Sequence, residues 1–164
     1  SYTVNSERKK LAKRPKAKPA VFTAGYEGIS VDRFLNLLIE NGVERLVDVR
    51  HNPIARRYGF HKSTLDRLTG KLGIEYAHFP ELGIQSENRQ NLETLKDRKK
   101  LFAKYERTTL KSETDAIEKV ARLIEERPSV LVCMEAEPAC CHRSHLATLV
   151  SELTELPVKH LQAA

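Results

Sequence analysis

Short β-branched runs alternate with helix-patterned segments from residue 20 onward, which predicts an α/β protein: a single three-layer, Rossmann-like domain around a mostly parallel sheet of about five strands. Two further observations point the same way. At 164 residues the chain has the size of one domain. Its apolar runs, of which Val130-Leu131-Val132-Cys133-Met134 is typical, are far too short to cross a bilayer.

The elements follow in order. Ala20 to Gly25 reads as the first strand, and Ser30 then caps a helix that continues through Asn41 and stops at Gly42. Arg45 to Arg50 is the second strand. Ser63 caps the next helix, where Leu65, Leu68 and Leu72 recur at helical spacing before Gly73 ends it. Ile74 to Phe79 is the third strand, followed by a loop over 80–91, a weaker helix from Leu92 to Tyr105 and a second loop over 106–111. Ser112 opens a helix with Ile117, Val120, Ala121 and Ile124 on one face, and Pro128 closes it. Ser129 to Met134 is the fourth strand. The chain turns at Pro138, and a helix starts near Cys141 with Leu146, Leu149, Val150 and Leu153 spaced to face the sheet. Val158 to Leu161 is a short final strand.

Charge divides the chain in two. The net charge of +6 is carried entirely by residues 1–19, where Arg8, Lys9, Lys10, Lys13, Arg14, Lys16 and Lys18 face Glu7 alone. That segment reads as a basic, disordered arm able to touch nucleic acid or another anionic surface, and residues 20–164 form the folded domain. No apolar leader opens the chain, so a cytoplasmic location is expected. The three cysteines, Cys133, Cys140 and Cys141, are too few and too clustered for a secreted disulfide framework, which predicts free thiols or metal ligands.

Ligands of open α/β sheets bind beyond the carboxyl ends of the strands, and here those ends are polar. The first runs into Gly25-Tyr26-Glu27, the second into Asp48-Val49-Arg50, the third into His78 and the fourth into Cys133-Met134-Glu135. Asp48 and Arg50 share a strand face, either as part of a ligand site or as a buried ion pair that orders the loop. His142 and Arg143 lie near the edges of the sheet-facing stripe of the last helix, in its first turn, where free N–H groups favour an anion. His145 sits at the margin of that stripe.

These residues carry a resemblance. Thr23-Ala24-Gly25-Tyr26, Asp48-Val49-Arg50 with Pro53, Tyr58-Gly59-Phe60, Tyr76, Pro80-Glu81-Leu82-Gly83, Leu131 to Glu135 and Cys141-His142-Arg143 together resemble the domain of unknown function 488 family over nearly the whole chain. The resemblance implies a compact α/β domain with a shared polar site and no assigned activity. Many relatives have Gly-His-Ser at the first turn, where this chain has Gly25-Tyr26-Glu27, and Cys140 is an extra thiol.

Three readings of the cysteine segment stand side by side. In the leading one the domain is enzyme-like: Cys141 is a nucleophile or redox thiol, His142 an acid or base, and Glu135 its counterpart. Tyr26, Asp48, Arg50 and Arg143 then hold a phosphate-bearing or nucleic-acid-derived anion. In the second, Cys133, Cys141, His142 or His145 bind zinc, against which the spacing argues, since adjacent residues seldom aim at one ion. In the third, Cys133 is a small buried strand residue and Cys141-His142-Arg143 only pin the loop, leaving a noncatalytic module that binds nucleic acid through its arm. No Gly-rich phosphate loop or dinucleotide fingerprint is present, so neither a cofactor nor a metal is assigned, and the expected partner is an anionic small molecule or nucleic acid, not a membrane.

Overall fold

A computed structural model of the chain describes residues 16–53, 58–84, 95–135 and 141–163. Most of the expected basic arm lies outside them, as do Pro138 and Cys140. Strand β1 (Val21–Gly25) leads through helix α1 (Val31–Glu40) to β2 (Arg45–Asp48), then through α2 (Lys62–Lys71) to β3 (Glu75–His78). A 3-10 turn (Pro80–Leu82), α3 (Leu95–Arg107), the single turn α4 (Thr109–Ser112) and α5 (Thr114–Glu126) connect to β4 (Ser129–Cys133), and α6 (Arg143–Thr154) leads to β5 (Val158–Leu161). The strands form one five-stranded sheet in the order β3-β2-β4-β1-β5, parallel at every pairing. No helix among the described residues is long and apolar enough to cross a membrane.

Side chains alternate across the sheet and build two cores. Phe22, Ala24, Leu46, Val130 and Val132 pack with Phe34, Leu38 and Leu65 of α1 and α2. On the opposite face Val21, Val47 and Leu131 pack with Ile117, Val120, Leu146 and Val150 of α5 and α6. Right-handed crossovers give this division, because the chain winds toward β3 first and back toward β5 afterwards. Strand β4 is where the winding changes face: it lies between β1 and β2, yet its following helix goes to the other side of the sheet. The crevice at such a switch point opens above the strand's last residue, here Cys133.

Several boundaries differ from expectation. The expected loop over 106–111 is helical in most of its length, because α3 continues to Arg107 and Leu110 anchors α4 in the core. Ser112 ends α4 and does not cap α5. Ser63 lies inside α2, whose start is held by the Lys62 N–H donating to Pro53 O at 2.9 Å. Leu153, expected to face the sheet, is 44% exposed. The buried stripe of α6 runs through Arg143, Leu146, Ala147 and Val150, so it is centred between Leu146 and Ala147, and at about 100° per residue Leu153 falls off its edge. The same rotation carries Arg143 to the middle of the stripe.

Candidate functional site

The end of β4 and the start of α6 meet above the switch point, and four side chains converge there. Cys133 and Cys141, eight residues apart, are joined by a disulfide. The expectation of free thiols or metal ligands did not include this pairing, because cysteine spacing alone does not say which sulphurs meet. His142 is the N-cap residue of α6, with its Nδ1 3.8 Å from Cys141 Sγ and its Nε2 3.0 Å from Val49 O just past β2. Arg143 donates from Nη1 to Cys133 Sγ at 3.1 Å and to the backbone oxygen of Glu135. Glu135 Oε2 lies 3.5 Å from Cys133 Sγ. Cys133, Cys141, His142 and Arg143 are each at most 1% exposed, so this is an interior cluster.

Asp48, Arg50 and Tyr26 form a second cluster on the α1 and α2 face. Arg50 grips Asp48 bidentately, with Nε at 2.8 Å from Oδ1 and Nη2 at 2.7 Å from Oδ2, while Tyr76 donates to Oδ2 at 2.5 Å. Its Nη1 donates to Tyr26 OH at 3.1 Å and to Phe60 O at 2.6 Å. The Tyr26 ring is stacked on Phe60 at 4.2 Å between centroids. Burial works against the charged guanidinium, but the hydrogen bonds and charge of Asp48 outweigh it and hold Arg50 above its ordinary pKa. Burial and then the charge of Asp48 likewise raise Tyr76. The guanidinium expected to recognise an anion is therefore engaged by the protein's own acceptors. The two clusters touch through the backbone: Val49, between Asp48 and Arg50, supplies the carbonyl that meets His142.

Sequence reading passed over several contributors. Tyr105, in the weakly patterned helix, packs edge-on against His142 at 5.3 Å and donates to Leu82 O at 2.6 Å. Its ring also lines a cleft of about 280 Å³ shared by His51, Glu81, Lys104, Thr108 and Thr109. Thr23 and His160 meet at 2.5 Å across β1 and β5, and burial followed by the charge of Arg143 lowers the pKa of His160. His145, left at the margin, forms a surface pair with Glu106 at 2.5 Å. Gly83 of the Pro-Glu-Leu-Gly motif is needed for close approach, since a Cβ there would sit 2.2 Å from the His51 N.

Residues 30–150 match the model of a family described as Domain of unknown function DUF488, a span that takes in β2, β4 and the whole cysteine segment. No curated protein and no solved structure matches the chain.

Proposed function

The chain belongs to the DUF488 family, and we propose that it is an enzyme-like domain whose reactive centre is a thiol–imidazole pair, Cys141 with His142, at the carboxyl end of the sheet. One observation carries this reading. His142 Nε2 lies 3.0 Å from a backbone carbonyl, which only accepts, so Nε2 keeps its hydrogen and Nδ1 carries the ring's lone pair, 3.8 Å from Cys141 Sγ. An imidazole nitrogen so placed takes the thiol proton, and the resulting thiolate is the attacking group. Arg143 beside the sulphurs favours their anionic form, and Cys133 is the partner thiol. The disulfide is the resting, oxidised form; two electrons and two protons from a reductant return both thiols.

Asp48 and Arg50 act in this reading as positioning residues. Their clamp fixes the peptide on either side of Val49, and Val49 O fixes the tautomer of His142. The ligand class it favours is a small electrophile bearing an anionic group, on account of the Arg143 cation and the polar cleft beside Tyr105. The test is the pH dependence of Cys141 alkylation in the reduced chain. Cys141 should react with an apparent pKa well below the reference of about 8.5. His142→Gln, which still donates to Val49 O but supplies no base, should return it to the ordinary range. A wild-type profile like that of a simple thiol, or one unchanged in a folded His142→Gln variant, would refute the reading.

A further inference from the structure

Cys133 Sγ, Cys141 Sγ and a ring nitrogen of His142 all lie within 4.8 Å of one another in a fully buried setting. We propose that in its dithiol form the chain binds one thiophilic divalent cation, with zinc as the biological match, through Cys133 Sγ, Cys141 Sγ and His142 Nδ1. The inference rests on the reduced state that the thiol reading requires, but not on Cys141 being an attacking group.

The donor set is the first argument. Two thiolates and one imidazole are soft to borderline ligands that select zinc over magnesium or calcium, and the two thiolate charges balance the ion. Three protein donors leave a fourth position for water or a ligand, the pattern of a reactive and not a closed structural site. The second argument is the orientation of the imidazole. Metal-bound histidines almost always donate their other ring N–H to a carbonyl or carboxylate, and His142 Nε2 already faces Val49 O at 3.0 Å. Nδ1, 3.8 Å from Cys141 Sγ, is the nitrogen on the side of the sulphurs.

The third argument lies in the backbone. The Cα atoms of Cys133 and Cys141 are 7.3 Å apart, whereas disulfides span about 4.4–6.8 Å. Two thiolates that each reach an ion at about 2.3 Å suit a wider separation. Adjacency of Cys141 and His142 in sequence is no obstacle, because Cys141 precedes α6 and His142 is only its cap, so the two are not held on diverging faces of one helix. Arg143 Nη1, 3.1 Å from Cys133 Sγ, supplies the hydrogen bond to sulphur that lowers thiolate basicity around such an ion.

The experiment is an anaerobic cobalt(II) titration of the full chain, reduced with a phosphine and freed of metal. One ion per chain should bind, with the visible bands of a tetrahedral site and a thiolate-to-cobalt charge-transfer band, and zinc should displace it. Cys133→Ser, Cys141→Ser and His142→Gln should each weaken binding at least about tenfold, the scale of disrupted metal shells, while Cys140→Ser should retain the bands. Six-coordinate cobalt without charge transfer, wild-type binding in Cys133→Ser, or loss of the bands in Cys140→Ser would overturn this donor set. Zinc protection of the wild-type thiols provides a readout that needs no variant: Cys133 and Cys141 should resist alkylation when zinc is present, and unchanged rates would overturn the site. Rapid alkylation of metal-free Cys141 without a cobalt signature sinks the metal site alone. A cobalt site with a sluggish metal-free Cys141 sinks the thiol reading alone.

Discussion

Asp48 and Arg50 show how two charges in an apolar strand are tolerated. The carboxylate is fully buried and the guanidinium nearly so, yet both carboxylate oxygens and all three guanidinium nitrogens have a counterpart in the other residue, Tyr26, Tyr76 or Phe60. Desolvation is offset only while the set is complete. Asp48→Asn keeps the shape and strands the arginine, so equilibrium denaturation should show a loss of about 3–5 kcal/mol. Replacing the pair together, with Asp48→Asn and Arg50→Met, should recover part of that loss. A single-variant loss below about 1 kcal/mol, the level of an exposed ion pair, would mean that the clamp contributes little.

Helix α1 and the turn before α2 depend on one glycine. Gly59 has φ +93°, a conformation that L side chains rarely adopt, and a Cβ there would meet Val31 Cβ at 2.5 Å. Val31 is the first residue of α1, so the motif Tyr58-Gly59-Phe60 docks the turn on the start of that helix and delivers Phe60 O to Arg50. Gly59→Ala should cost about 2 kcal/mol or more through steric overlap and backbone strain together. Adding Val31→Ala should remove the overlap with the two Val31 Cγ atoms, at 2.6 and 2.7 Å, but neither that with Cβ nor the strain. Thermal melts of the two single variants and the double should therefore show a double-variant loss smaller than the sum; strict additivity would place the effect elsewhere.

Across the chain, three titrating groups bear on the pH range of stability. Burial, and for Tyr76 then the Asp48 charge, raises Tyr76 and Tyr105 above the ordinary tyrosine value of 10.0. Groups raised in the fold stabilise fully below their unfolded pKa, and that contribution is lost as pH climbs past 10.0 toward the folded values. His160 acts on the acid side. Its folded pKa is lowered from 6.5, so it favours the fold above that pH, and the contribution fades as pH falls below it. A melting series should show a plateau between these limits and a decline above pH 10.0 that is shallower in Tyr105→Phe. Equal alkaline slopes in the two proteins would contradict the assignment.

Fold class, strand identity and the polar carboxyl edge were legible along the chain because they depend on local periodicity: β-branched runs, capped helices, and glycine or proline at their ends. Cys141 stood out as one of three clustered cysteines, and His142 and Arg143 as polar residues in the first turn of a helix patterned to face the sheet. What the chain could not declare was direction in three dimensions. Asp48 and Arg50 read equally as a ligand site or an internal clamp, and only the tertiary structure brings Tyr26, Tyr76 and Phe60 from distant segments into hydrogen bonds with the pair. Cys133 and Cys141 pair across eight residues, and His142 turns Nδ1 toward Cys141 while its Nε2 meets Val49 O, just past β2 and 93 residues away in sequence. Local pattern follows from backbone geometry repeated every two or 3.6 residues. The chemistry of a site follows from which polar groups are desolvated together, and that is settled by packing between segments that carry no mark of one another.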